Sequence, residues 1–193
     1  MSIAQMSPGR LKILKAVSTL LEDPSAKVTI CRIADEVHVT EAAIYRHYRS
    51  KEEIFTSIIT YMEENLLIGL EEITARSDIS SLENLFTQYM DFFESHPGLA
   101  RLFLGHGATE ATGISERIKL LSAKMRSHVA QFLRTNQNML HNHITPEQGV
   151  ELFYGLVVSA AMSITYGFPQ IQMEDRWDAY SQSTFKAATA QAA

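Results

Sequence analysis

Apolar positions recur every three or four residues along almost the whole chain, a period that predicts helices rather than strands. Leu11, Leu14, Val17 and Leu21 mark a first helix, opened by Ser7-Pro8 and stopped at Pro24. Thr29 caps a second over 30–37, with Ile30, Ile33, Ala34 and Val37 turned inward. The turn His38-Val39-Thr40 leads into a third helix over 41–48. Ser50-Lys51-Glu52-Glu53 has the form of a capping box and predicts a long fourth helix from Lys51 to about 75. Ser80-Ser81-Leu82-Glu83 opens a fifth that ends at His96-Pro97-Gly98, and a short helix follows from 97 to about 105. After a loop around Gly105 to Gly113, a helix from 114 to about 137 sets Ile118, Leu121, Met125, Val129 and Phe132 on one face. Thr145-Pro146-Glu147-Gln148 opens a helix that runs to Phe168, and the last helix spans 175 to about 190. No strand pattern and no repeat survive this reading. The chain is expected to be all-α, with about nine helices.

Composition narrows the classes. Apolar residues make up 46% and charged residues 20%, as in an ordinary globular domain. The net charge of −5 is unevenly spread: residues 1–60 carry eight Lys/Arg against seven Asp/Glu, the remainder nine against fifteen. A general polyanion coat is excluded, so any nucleic-acid site is local and near the N-terminus. The single Cys31 forms no internal disulfide and suits a reducing compartment. Met1-Ser2-Ile3-Ala4-Gln5 has no basic or apolar leader character, and a cytoplasmic, nucleoid-associated protein is expected. Seven histidines raise the question of a metal, but His141-x-His143 lies in a polar connector without further ligands at metal spacing. No paired-carboxylate or Ser–His–Asp pattern is visible. Neither a metal nor a cofactor is expected, and no enzyme.

The informative segment is 29–51, TICRIADEVHVTEAAIYRHYRSK. Two short helices joined by a tight turn form a helix-turn-helix, whose second helix can enter the DNA major groove. Ala34 and Ala43 are small enough for close crossing, and Val39 is expected to fill the corner. Thr29 and Thr40 stand at helix starts, where hydroxyl and free N–H groups can hold phosphate oxygens. Glu41, Ala42, Tyr45 and Arg46 share the outward face.

The stretch VTEAAIYRHYRSKEEIF resembles the DNA-binding segment of the TetR family of bacterial regulators. TEAAIYRHY, HPGLARLFLGHG and RWDAY further resemble its nucleoid-occlusion branch. The resemblance implies an N-terminal DNA-binding domain, 1–50, and a helical dimerisation and regulatory domain, 51–193. It implies a homodimer on double-stranded DNA with a pseudo-palindromic operator, most simply a ligand-responsive repressor. By motif, Thr29, Thr40, Tyr45, His47 and Lys51 contact phosphates, and Ala42, Tyr45 and Arg46 lie nearest the bases. The branch implies an alternative role, inhibition of the division protein FtsZ. Three departures stand out: the basic residues that this branch carries before the first helix and after the seventh are missing, with Arg10 nearly alone and Thr135-Asn136-Gln137-Asn138 neutral. His38 replaces the family's usual Gly, and Gly69, Gln88, Asp91 and Ser95 are not the basic and apolar residues expected for docking FtsZ.

Residues 150–168 are apolar nearly all round. Their length would allow a membrane span, but Glu147 and Glu151 sit in the first turns, and Gly155, Ser159, Ser163 and Gly167 repeat every four residues. Such a ridge lets another helix approach closely. A subunit interface is therefore expected, with Trp177 and Tyr180 of the last helix completing it, and no membrane. Phe93, Phe103, Met125, Phe132, Phe153 and Met162 either pack a core or line a pocket for a small apolar ligand.

Overall fold

The computed structural model describes residues 6–25, 27–70, 78–106, 113–169 and 171–186. Among these, α1 (Pro8–Glu22), α2 (Ile30–Val37) and α3 (Glu41–Tyr45) form an N-terminal cluster. The rest comprises α4 (Lys51–Leu66), α5 (Ile79–Ser95), α6 (Pro97–Phe103), α7 (Ile114–Thr135), α8 (Pro146–Tyr166) and α9 (Met173–Thr184). Five of these helices begin at side-chain caps with the expected chemistry. Ser7, Thr29, Thr40, Ser50 and Thr145 each accept a bond from a backbone N–H three residues on, which satisfies a donor that the helix leaves open.

Helix α8 is the hub of the C-terminal bundle, packed by α5, α6, α7 and α9. It is long and apolar enough to cross a membrane by composition alone, but its inner face is taken up by these neighbours. The N-terminal cluster is not an isolated bead, because α1 lies along α6. A methyl placed on Gly98 would overlap the Ser18 carbonyl oxygen, so glycine is what permits that approach. His96 fixes the corner that aims α6 at α1: its Nδ1–H donates to the Phe92 carbonyl at 2.9 Å, and Nε2 lies 2.9 Å from the Tyr61 hydroxyl.

Several boundaries differ from the expected ones, each for a local reason. Helix α3 ends as an α-helix at Tyr45, and the chain turns through 46 and 47 before Tyr48. Helix α4 stops at Leu66, short of 75, and the chain turns at Gly69, whose φ is +80°; residues 71–77 lie outside those described. Asp78 caps α5 in place of Ser80, accepting from Ser81 N–H at 3.1 Å. A carboxylate two residues upstream is the stronger acceptor near a helix N-terminus. Helix α9 begins two residues before Asp175 and ends at Thr184 rather than near 190. There Phe185 leaves the helix to form an isolated antiparallel bridge with Leu140, framed by bonds from His141 N–H to Thr184 O and Lys186 N–H to Met139 O. A sequence pattern cannot register one bridge pair. Residues 187–193 and most of the expected loop, 107–112, are outside the described residues.

Candidate nucleic-acid interface

The turn between α2 and α3 depends on one backbone state. His38 is the sole non-glycine residue with positive φ among those described, at φ 59° and ψ 48°. In that left-handed state its N–H reaches Asp35 O and the next N–H reaches Ala34 O, which closes the end of α2. Histidine bears the strain better than a β-branched residue would, so the departure from glycine still makes the same turn. Val39 does not fill the corner: it is 41% exposed, and Ile33, Val37 and Ile44 close the inside instead. The left-handed residue swings the following side chain outward.

All but one of the predicted DNA-contacting side chains are exposed. Thr29 and Thr40 are exposed, and each hydroxyl oxygen accepts a capping bond, from Arg32 N–H at 3.2 Å and Ala43 N–H at 3.3 Å. Each O–H therefore remains free to donate to a phosphate oxygen. Glu41, Ala42, Tyr45, Arg46 and His47 are all exposed, Tyr45 to 51%. Lys51 is half-buried in the first turn of α4, its ammonium 5.7 Å from the centre of the Phe55 ring. The His47 ring lies against α1, where a Cβ on Gly9 would come within 2.5 Å of it.

Sequence reasoning did not find what holds this face rigid. The Arg10 guanidinium lies 4.1 Å from the centre of the Tyr48 ring and pairs with Glu53 Oε1 at 3.0 Å. The other Glu53 oxygen accepts from the Arg49 N–H at 2.7 Å, one residue earlier than in a standard capping box. That backbone bond, followed by Arg10, holds the Glu53 carboxyl below its ordinary range. Lys12 donates to the Val37 carbonyl at 3.1 Å and so caps α2 from α1. Arg10 and Lys12, two residues apart on α1, reach the start of α4 and the end of α2; amphipathic spacing alone gives no sign of such cross-helix bonds.

The expected interface residues divide. Gly155 and Ser159 are exposed, and a Cβ on Gly155 would meet nothing within 4 Å. They belong to a stripe Leu152, Gly155, Ser159, Met162, Tyr166, all exposed, which Phe168 and Ile171 extend. Gly167 is exposed as the left-handed cap of α8, at φ 65°. Ser163 is turned inward, where its hydroxyl accepts from Arg176 at 3.2 Å. Trp177 and Tyr180 are a correction: both are buried inside the subunit, Trp177 stacked on Phe86 and the Tyr180 hydroxyl donating to Gly149 O. They face α5 and α8 because α9 is amphipathic and turns its aromatic side to the bundle.

Of the six pocket-lining candidates, Phe93, Phe103, Met125, Phe132 and Phe153 are buried. Met162 is corrected to the outer stripe, 41% exposed. Where Tyr89, Met125, Val129, Val150, Phe153 and Val157 meet, the side chains leave no room for a water molecule. The Tyr89 hydroxyl is buried there without a partner among the described residues, and burial pushes its pKa up. Among the described residues no group of three or more His, Cys, Asp or Glu is placed to hold a metal ion. The rings of His141 and His143 stack on one another, and His141 Nε2 donates to Gln182 O at 3.2 Å.

Comparison with known proteins bears on this geometry. The model for bacterial regulatory proteins of the TetR family matches residues 13–58, which span most of α1 through the first half of α4. The nucleoid occlusion factor SlmA of Shewanella sediminis is 32% identical over 138 residues, 69% of this chain and 70% of that protein. The chain belongs to the TetR family. SlmA of Shewanella pealeana is 30% identical over 162 residues, 82% of this chain and 79% of its own length. The fold matches that of NalD, the secondary repressor of the MexAB-OprM multidrug efflux pump in Pseudomonas aeruginosa. The TM-score is 0.70 at 18% identity, over 93% of this chain and 97% of NalD. As a member of this family the chain is a DNA-binding transcriptional regulator, and the helix-turn-helix described above lies within the residues that the family model matches.

Proposed function

We propose that the protein acts as a homodimeric, sequence-specific repressor whose two readers bind the halves of a pseudo-palindromic operator in the cytoplasm, at the nucleoid. Residues 1–50 supply the reader and 51–193 the dimerisation and regulatory part. The observation that carries the reading is the exposure of Thr29, Thr40, Tyr45, Arg46 and His47 around the helix-turn-helix, two of them the capping residues at the starts of α2 and α3. Thr29, Thr40, Tyr45, His47 and Lys51 set the register on phosphates, while Ala42, Tyr45 and Arg46 approach base edges, with Glu41 on the same outward face. Dimerisation runs through the outer stripe of α8. A ligand acts by binding one spacing of the two readers better than the other. Met125 and Phe153 meet where no water-sized space is left, so a ligand there requires the core to open, whereas Phe103 lines an open cavity of about 610 Å³ with Ile118 and Tyr154.

Selection of bound duplexes from a random pool tests this reading. A recovered two-fold symmetric site, bound by the dimer, supports it; recovery of no consensus overturns it. The identity to SlmA proteins favours a second reading, in which the DNA-bound dimer inhibits FtsZ assembly. Binding of purified FtsZ only when the selected DNA is present would establish that role, and absence of binding with and without DNA removes it.

A further inference from the structure

Arg176, in the first turn of α9, is 8% exposed. Its Nε–H donates to the Ile171 carbonyl at 3.2 Å, Nη1 to the Ser159 hydroxyl at 3.4 Å and Nη2 to the Ser163 hydroxyl at 3.2 Å. All three acceptors are neutral. No carboxylate among the described residues lies within ion-pair distance of this guanidinium. A buried cation that meets only neutral oxygens keeps much of its desolvation cost, and among the described residues three of its five N–H groups find an acceptor. Beside it a cleft of about 200 Å³ opens between α5, α8 and the start of α9. Met90, Ala160 and Ile164 give it an apolar side, and Glu94 and Glu174 stand at its exposed margin.

We propose that this cleft binds a free apolar α-amino acid as an effector. The ligand's carboxylate takes the spare N–H groups of Arg176, a planar fork suited to carboxylate. Its ammonium lies toward Glu94 and Glu174, and its side chain rests on Met90, Ala160 and Ile164. The two charge signs in one cleft argue for a zwitterion: a simple anion would meet Glu94 and Glu174 unfavourably, and a simple cation would meet Arg176. The volume sets the size, since it falls below the roughly 300 Å³ at which drug-sized sites begin. Arg176 also grips Ser159 and Ser163 on α8, so its pairing links the cleft to the helix that carries the outer stripe. The proposal stands apart from the operator reading, because binding is measured without DNA.

Titration calorimetry on the full-length protein tests it, with L-leucine and L-valine as probes and isovalerate and isoamylamine as the carboxylate-only and ammonium-only controls. An amino acid is expected to bind about tenfold or more tighter than either control, the equivalent of one charge-assisted bond. Glu94 is exposed, so Glu94→Gln leaves the fold and oligomeric state intact and is expected to weaken L-leucine about tenfold. Arg176→Lys, which keeps the charge and loses the fork, is expected to weaken it further. Isovalerate binding as tightly as L-leucine overturns the proposal, as does an unchanged affinity in Glu94→Gln. Absence of heat with both amino acids also overturns it.

Discussion

The reader and the outer side of α8 are both exposed, but they are built from opposite materials. On the reader, each key hydroxyl or carboxylate is tied to backbone: Thr29 and Thr40 to helix N–H groups, Glu53 to the Arg49 N–H. On α8 the exposed stripe Leu152, Gly155, Ser159, Met162 and Tyr166 is apolar or small, and Phe168 and Ile171 prolong it. On the proposed reading, a polyanion would be met by pre-set polar groups, and a second copy by surface that water would rather leave. The two faces therefore fail differently. Damage to the first removes contacts one at a time; damage to the second removes the pairing of both readers at once.

The largest expected effect follows from that difference. Gly155→Leu places a bulky side chain in open space within the subunit, so the monomer fold should survive. Across a two-fold interface the same intrusion occurs twice, at about 1–3 kcal/mol per site for overpacking. Sedimentation should show monomers, and operator affinity should fall about a hundredfold or more as the half-sites lose their linkage. A Gly155→Leu protein that stays dimeric and binds the operator normally would remove the α8 stripe as the interface.

A smaller loss is expected on the reader. Tyr45→Ala should cost about 1–3 kcal/mol of operator binding, as for one base-edge contact, with the dimer unchanged. Lys51→Ala should weaken binding to all sequences alike and lower the slope of log K against log salt by about one. Unaltered titrations for both variants would show that this face does not meet DNA.

The same contrast explains what the sequence disclosed. Caps are local: Ser7, Thr29, Thr40, Ser50 and Thr145 act within three residues, so their helices start where the pattern puts them. The reader's outward residues were legible for the same reason, since a short helix of fixed period assigns its own faces. Contacts between distant segments were not. Nothing in local spacing pairs Arg10 with Glu53, Leu140 with Phe185 or Ser18 with Gly98. The error over Trp177 and Tyr180 is of this kind: aromatic residues on an amphipathic helix suit a core and an interface equally, and only the position of α5 decides. The four-residue ridge leaves the outer stripe at Ser163 because each step of four overshoots a 3.6-residue turn by about 40°, so Met162 and Tyr166 continue the outer face while Ser163 turns toward Arg176.

Acid should sharpen the comparison on the reader alone. The Glu53 carboxyl is held below its ordinary range first by the Arg49 N–H and then by Arg10. A depressed carboxyl contributes stability above its unfolded pKa and loses that contribution as pH falls through its folded pKa. The reader's anchoring should therefore weaken toward acid pH, and Glu53→Gln should remove that part of the slope. Because the pair is partly exposed, the effect near neutral pH should stay below about 1 kcal/mol. Denaturant midpoints of both proteins across that range are the measurement, and parallel curves would dismiss Glu53 as the titrating anchor.

The smallest effect is expected where neither face is involved. Tyr89 is fully buried, packs edge-on against Phe153, and has no partner for its hydroxyl among the described residues. A buried hydroxyl without a partner carries its desolvation penalty with no return, whereas the ring contributes to packing in either residue. Tyr89→Phe deletes the oxygen and keeps the ring, so stability should stay level or rise by up to about 1 kcal/mol. Dimerisation and operator affinity should not change, since the ring lies inside α5, α7 and α8 and touches neither exposed face. Thermal and denaturant unfolding would register the gain. A clear loss of stability in Tyr89→Phe would mean that the hydroxyl has a partner in solution.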